Sequence, residues 1–453
     1  MSAPADRYSF IPTGRAPLQV DRAEGAWLYT GDGRRILDAA GGAIVANIGH
    51  GRREVAEAYA RGLEEVSYVV PPFRTSSRAA LIDRLLEDWL PGGTGGGLTR
   101  VVFTSGGSES VDAAIRLARQ HHVSAGRTGR WKVIGRDLSY HGTTLATLAI
   151  GGNTKRKAGF EPYLFDSPRA PACYCLRCPL GLEPRSCNMA CADEVERIIE
   201  REGPDTVAAF IAEPIVGSTA GAIEPPDDYW PRLADICRKH GVLLIADEVM
   251  TGYGRTGRRF AVDHWGVCPD ILVGGKGLSG GYAPMGAIAA TDAVVAPIAE
   301  RGDDLMFYTY AAHPASCAAS LAVLDILERE KLVERCAEVG AELRAHLEER
   351  LGGHPNVGDI RGRGLLLGVE LVRDRDTLEA FPPEARVTQH VVGAGLAEGV
   401  FFYPGGSAPA QDCVVLGPPF IIERAEIELI GKALERAISA AVERAQSAGP
   451  GAG

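Results

Sequence analysis

Residues 241–286 constrain the fold of this chain more than any other stretch. They read GVLLIADEVMTGYGRTGRRFAVDHWGVCPDILVGGKGLSGGYAPMG. Residues 242–246 form an apolar run with no polar break, the pattern of a strand covered on both faces. Asp247 and Glu248 follow at once, which puts a carboxylate at the C-terminal mouth of a buried strand, where open α/β sheets bind ligands. A second apolar run, 271–273, ends just before Lys276, which stands among glycines. An acid and an amine at two strand ends of one sheet suit pyridoxal phosphate, whose pyridine nitrogen needs an acid partner and whose aldehyde condenses with a lysine. The same two residues also read as a buried salt bridge plus a loop lysine.

The chain has 453 residues, so a large domain with a smaller companion is expected. Its formal net charge of -10 argues against a nucleic-acid or anionic-membrane partner. No apolar stretch reaches membrane-spanning length, and the N-terminus lacks the basic-then-apolar layout of a signal peptide, so a cytoplasmic location is expected.

In chain order, residues 26–38 carry a TGDG turn between two strand-like runs, and a small-residue loop then leads to a helix near Arg53. Residues 76–90 have apolar positions at helical spacing, and PGGTGGGL connects them to a strand at 101–103. That strand runs into TSGGSES and a helix, with Ser108 expected as N-cap and Glu109 and Asp112 in the first turn. A glycine-rich strand-to-helix turn offers backbone N–H groups to a phosphate, although many α/β turns look alike. A strand at 131–134 leads to SYHGTT, where Tyr140 could stack on a flat ligand or be an ordinary half-buried tyrosine. A buried strand at 207–212 ends in Glu213, and an amphipathic helix spans 229–240. From 100 to 290 strand and helix alternate, the mark of a mostly parallel, doubly covered α/β sheet. Thr309 precedes a long helix starting near Pro314, and beyond 332 come two charged amphipathic helices, a hairpin-like piece and a last helix over 423–446. The tail SAGPGAG is expected to be disordered.

Five of the ten cysteines, Cys173, Cys175, Cys178, Cys187 and Cys191, cluster in an apparent insertion, 171–191. The C-x-C-x-x-C start matches no standard zinc finger or ribbon. The expectation is no metal, with thiols stiffening a loop; a structural metal clip on these five sulfurs is the alternative.

Seen together, TSGGSES, SYHG, AEPIVG, IADEVMTGYGRTG, GGKGLSGGYAPMGA, TYAAHP and GPPF resemble, in order, the landmarks of the class III aminotransferases of pyridoxal-phosphate fold type I. The resemblance runs from about residue 27 to 438. It implies a large domain with a mostly parallel sheet of the seven-stranded type (56–324) and a smaller α+β domain built from both termini (1–55 and 325–453). It implies pyridoxal 5'-phosphate as cofactor, with Lys276 as Schiff-base lysine and proton shuttle and Asp247 on the pyridinium nitrogen. Glu213 would lie near the substrate, Tyr140 would stack on the ring and Val249 would press on its other face. Ser105, Gly106, Gly107 and Ser108 would surround the phosphate, with His141 and Gly142 lining the cofactor and Thr309 reaching the phosphate from a partner subunit of a homodimer. The activity implied is ping-pong transfer of an amino group from an amine to an aldehyde, ketone or 2-oxo acid. An aminomutase, epimerase, decarboxylase or lyase on the same scaffold, or a binding protein that has lost catalysis, are the rivals.

One departure bears on substrate. Many family members carry an arginine three residues before the Pro-Pro pair, where it grips a substrate carboxylate. Here the run is VVLGPPF and the position is Val415. Glu213 thereby loses its usual arginine partner. Arg74, Arg255, Arg361 and Arg363 are candidate substitutes, each more readily read as structural. The donor expected is an ω-amine, amino sugar or similar amine without an α-carboxylate.

Overall fold

The apolar runs pair into one seven-stranded sheet in the computed structural model, which describes residues 18–92, 97–304 and 307–447. The strand order is Leu98–Thr104, Gly286–Thr291, Ile271–Gly274, Leu243–Asp247, Val207–Ala212, Lys132–Arg136 and Arg169–Ala170. Gly286–Thr291 runs antiparallel to both neighbours, and the pairs from Ile271–Gly274 outward to Arg169–Ala170 are parallel. Every position of Val207–Ala212, Leu243–Asp247 and Ile271–Gly274 is buried, as expected of strands with helices on both faces. The C-terminal ends of these strands, and of Lys132–Arg136 and Leu98–Thr104, share one edge of the sheet.

Two smaller sheets flank this layer. Val20–Glu24, Trp27–Thr30 and Arg35–Asp38 form a meander, and Val400–Phe401 joins it parallel to Arg35–Asp38, so distant parts of the chain meet in one sheet. The third sheet is antiparallel, in the order Val357–Arg363, Leu366–Leu371, Ala410–Leu416 and Tyr403–Ser407. Helix Pro314–Arg329 packs on the helices Arg53–Glu65 and Ser76–Arg84, and ten of its residues are buried.

Local differences from the sequence expectations have physical causes. Ser108 is not the N-cap: the helix Gly107–Ser124 starts one residue before it, behind Gly106, and only Glu109 falls in its first turn. The Glu109 carboxylate reaches back to accept the Ser105 N–H at 2.9 Å, ahead of the helix, and the Ser108 hydroxyl accepts the Thr143 N–H at 3.2 Å. The helix expected over 76–90 is α-helical over Ser76–Arg84 and closes in a wider turn at Leu85–Trp89, which buries Leu85 and Trp89. The second helix beyond 332, Val387–Ala397, is apolar rather than charged, because it is wedged against the last helix, Arg424–Ser447, and the third sheet. The tail after Ser447 and the centre of the PGGTGGGL connector lie outside the described residues.

Candidate active site

Each side chain of the candidate site stands just beyond a buried strand. Asp247 closes Leu243–Asp247 and is 3 % exposed. Its Oδ2 accepts the Nδ1–H of His141 at 2.7 Å, and its Oδ1 accepts the Val249 N–H at 3.1 Å. Nε2 of His141 is buried and without a hydrogen-bond partner among the described residues. The histidine thus orients the carboxylate from behind and leaves its remaining lone pairs for a donor in the site.

Lys276 opens a single 3-10 turn, Lys276–Leu278, after Ile271–Gly274, with φ of 39° and only a small part of its surface in solvent. Asn47 holds this turn from the other side of the molecule, donating Nδ2–H to the Gly277 carbonyl at 2.9 Å. Gly274 is required here: a Cβ would lie 2.5 Å from the Tyr253 hydroxyl. Burial brings the Lys276 ammonium down to about 8, against the pull of Asp247 and Glu213, while Arg255 adds to the lowering. An amine so placed is neutral for an appreciable fraction of the time near neutral pH, which a base or nucleophile needs.

Glu213 follows Val207–Ala212, is 5 % exposed, and accepts two backbone N–H groups, from Tyr140 at 3.2 Å and Gly217 at 3.0 Å. Burial raises its pKa, with Asp247 adding to the rise and His141 and Arg136 opposing it. The buried Arg136 donates to the Glu213 carbonyl at 2.7 Å. Glu248, the second acid after the strand, is used structurally: its Oε1 accepts the Val262 N–H at 2.8 Å and its other oxygen takes the Thr251 hydroxyl.

The turn Ser105–Ser108 sits beside these groups. Helix Gly107–Ser124 starts there without a side-chain cap, so its first N–H groups are left for a ligand, and a Cβ on Gly106 would meet open space. A Cβ on Gly107 would lie 2.7 Å from the Val249 side chain, and one on Gly142 would lie 2.6 Å from the Ser108 hydroxyl, so both glycines are needed for close approach. Of the residues singled out from sequence, the turn, Tyr140, His141, Gly142, Glu213, Asp247, Val249 and Lys276 come together at one strand edge. Thr309 is exposed and makes no hydrogen bond among the described residues; its neighbour Tyr308 donates to the Glu109 carbonyl at 3.2 Å. Asn47, Tyr253 and Arg136 were not foreseen; the signal for Asn47 was its place in the small-residue loop 39–51.

The donor set fits pyridoxal phosphate. It combines a backbone anion cradle, a buried acid held by a histidine with an orphaned nitrogen, a depressed lysine and an aromatic ring.

The five clustered cysteines follow the edge strand Arg169–Ala170 and are all free thiols. They line one small void of about 20 Å³, with the Cys173 and Cys191 sulfurs 3.5 Å apart. Their loop is fastened to the third sheet by the buried Glu370, which takes the Tyr174 hydroxyl, Arg177 at 2.9 Å and Arg361 at 2.7 Å.

The model of the aminotransferase class-III family matches residues 10–438, and the chain belongs to that family. It is 38% identical over 413 residues to an uncharacterised aminotransferase of Bacillus subtilis, covering 90% of this chain and 92% of that one. It is 34% identical to the putrescine–pyruvate aminotransferase of Pseudomonas aeruginosa, covering 90% and 88%. Among solved structures, the (S)-enantioselective omega-transaminase of Thermomicrobium roseum superposes with a TM-score of 0.87 at 38% identity, covering 95% of this chain and 93% of that one. The fold is that of the type I pyridoxal-phosphate enzymes, and the protein is a transaminase of a family that works with this cofactor.

Proposed function

We propose that this chain holds pyridoxal 5'-phosphate at the strand edge just described and moves an amino group from a primary amine without an α-carboxylate to a carbonyl acceptor. The observation that carries this is the convergence of Lys276, Asp247 and His141 at one sheet edge beside an uncapped helix start. When bound, the cofactor supplies the electron sink for the carbon that loses its proton. Gly107 and Ser108 would hold the phosphate, with Ser105, Gly106 and Gly142 shaping the turn around it. Asp247, oriented by His141, would keep a proton on the ring nitrogen. Tyr140 and Val249 would cover the two ring faces. Lys276 Nζ would take the proton from the donor carbon and return it two atoms along, and burial would keep water away from that transfer.

The donor preference rests on Val415, which is fully buried in the strand Ala410–Leu416 and offers nothing to a carboxylate. Glu213, held by two backbone N–H groups, has no arginine to release for substrate. The boundaries 1–55, 56–324 and 325–453 remain our division of the chain, supported by the sheet that Val400–Phe401 shares with Arg35–Asp38. A homodimer accounts for the surface cleft of about 880 Å³ lined by Val102, Trp131, Phe165, Phe307 and Tyr308, beside the exposed Thr309. A second copy covering it would bury these apolar groups and bring Thr309 toward a neighbouring phosphate turn. Among the described residues no helix is long and apolar enough to cross a membrane. We place the protein in the cytoplasm on that and on its net charge of -10.

The test is a single turnover. Holoenzyme mixed with an ω-amine and no acceptor should convert its cofactor stably to the amine form, read by absorbance. A return to the starting spectrum would favour a lyase or epimerase, and a faster reaction with alanine or glutamate than with any ω-amine would overturn the donor preference.

A further inference from the structure

An acceptor that carries a carboxylate needs a cation in the pocket, and the structure removes most arginines near the site from contention. Arg255 is buried and donates to the Leu365 and Pro418 carbonyls at 3.1 and 2.7 Å. Arg361 is spent on Glu370 and on the Ala220 and Gly221 carbonyls, Arg363 on Glu224, and Arg136 on the Glu213 carbonyl. Arg74 is exposed on the segment before helix Ser76–Arg84 and, among the described residues, makes no hydrogen bond or ion pair with the site.

Arg156 is differently placed. Its guanidinium carbon lies 4.7 Å from the centroid of the Tyr140 ring. It is exposed, and among the described residues no carboxylate pairs with it. Its backbone is held firmly: Asn153 Oδ1 accepts its N–H at 3.3 Å, and Lys157 Nζ donates to the Ala149 carbonyl at 2.7 Å. Gly152 just before it packs so closely that a Cβ would lie 2.4 Å from the Arg136 carbonyl. The position vacated by arginine borders the same area. Val415 pairs across the sheet with Tyr403, whose strand reaches the loop beside Arg156: the Gly406 N–H donates to the Ser218 carbonyl at 2.9 Å, and Asn153, which caps the Arg156 helix, donates to the Thr219 hydroxyl at 3.4 Å. A short segment thus carries an unpaired guanidinium to the ring of Tyr140, whose backbone N–H bonds Glu213 and whose neighbour His141 bonds Asp247, on the side of the sheet where position 415 is a buried valine.

We propose that Arg156 binds the carboxylate of a 2-oxo acid acceptor, acting from the Tyr140 side of the pocket in place of the arginine absent at position 415. This rests on the reading of the site as that of an amine-to-carbonyl transaminase. A guanidinium presents two parallel N–H groups that match a carboxylate, whereas its contact with an exposed ring is worth only about two- to fivefold in affinity. Arg156 can therefore leave Tyr140 for the acceptor and return to it when an uncharged donor fills the pocket. Ping-pong transfer needs such an alternation, because one pocket receives both substrates in turn.

The test compares two acceptors of similar size, pyruvate and propanal, with one ω-amine donor, on wild-type holoenzyme and on Arg156→Ala and Arg156→Lys. The KM for pyruvate should rise by about 30- to 100-fold in Arg156→Ala and by less in Arg156→Lys. The KM for propanal and the rate of the donor half-reaction should stay within about twofold, and competitive inhibition by propionate should weaken in step with pyruvate. Equal losses with both acceptors would show that Arg156 only steadies Tyr140, and would overturn the proposal, as would no loss with either. A wild type that uses propanal but binds neither pyruvate nor propionate also overturns it while leaving the transaminase reading intact. A wild type inert with every donor would bring down that reading, and the anchor with it.

Discussion

The floor of the candidate site and its rim are built by different means. The floor consists of Asp247, Glu213 and Lys276, each at the end of a fully buried strand and each held by backbone or histidine contacts that fix its position. The rim consists of Tyr140, Arg156 and Tyr403, on a loop, a four-residue helix and a strand of a separate sheet, with Val415 buried on the neighbouring strand. A rigid floor suits chemistry that must happen the same way for every substrate. A rim of short elements can be rewritten residue by residue, as valine at 415 illustrates, without disturbing what lies beneath.

The comparison is broken most directly at Lys276. Lys276→Ala should lower kcat by about 10⁴-fold or more, because no other amine among the described residues shares the pocket with Asp247. Mass spectrometry of borohydride-treated holoenzyme should then find the cofactor's mass on residue 276 in the wild type and none in the variant. Turnover that survives the substitution would move the chemistry elsewhere.

Asp247→Asn comes next. An amide cannot hold a proton on a ring nitrogen by charge, and the His141 Nδ1–H loses its anionic acceptor. The expected loss is about 10²- to 10³-fold in kcat, with a folding cost of about 1–3 kcal/mol, since the one amide oxygen can keep the His141 contact at 2.7 Å or the Val249 N–H at 3.1 Å but not both. A rim substitution such as Arg156→Ala should do less and should discriminate between acceptors, which a floor substitution should not.

The floor was largely legible in the sequence, because burial on both faces writes an unbroken apolar run and a charge at its end is conspicuous. Residues 242–246 and 271–273 gave away two strands within a residue at each end, and the polar residues after them marked the mouth. The phosphate turn was legible through its glycines, although the cap was not: Ser108 has the side chain of an N-cap, and only the fold shows that Glu109 reaches back to Ser105 instead. The rim was not legible. Arg156 lies in TKRK, which reads as a solvated turn, and nothing local says that Tyr140, sixteen residues earlier, folds back beneath it. Asn47 escaped for the same reason: its partner Gly277 is 230 residues away.

The pH dependence of cofactor loading sharpens the account of the floor. With Lys276 at about 8, its neutral fraction rises about tenfold between pH 7 and 9 and then levels off. A lysine at its ordinary value would climb by about a hundredfold over that interval and keep climbing. The second-order rate of pyridoxal-phosphate incorporation into cofactor-free enzyme should follow the first curve. The linkage has a definite sign. Between about 8 and the ordinary lysine range near 10.5 the unfolded chain binds the proton and the folded chain does not, so this group makes the cofactor-free protein more stable as pH rises through that window. A loading rate still climbing steeply above pH 9 would mean that burial does not depress this amine.

The smallest effect is expected at the thiol cluster, which stands apart from both floor and rim. A zinc ion held by cysteines needs sulfurs about 2.3 Å from a common centre, and hence mutual spacings under about 4 Å. Cys173 and Cys191 meet that spacing at 3.5 Å. Among the described residues, however, the only three ligating groups within 4.8 Å of one another are Glu196, Glu200 and His240 on the surface, where Glu196 is already paired with Lys239. The loop has other fastenings, in Tyr174 and Arg177 on the buried Glu370. Cys191→Ser should therefore cost about 1 kcal/mol or less by denaturant titration, since a serine keeps a weak contact to Cys173 and removes little buried apolar surface. Elemental analysis of protein purified without chelator should find well under one metal ion per chain, and all ten thiols should titrate after unfolding. A metal-to-chain ratio near one, lost together with several kcal/mol of stability in Cys191→Ser, would make this loop a metal clip and the insertion a third kind of region in the molecule.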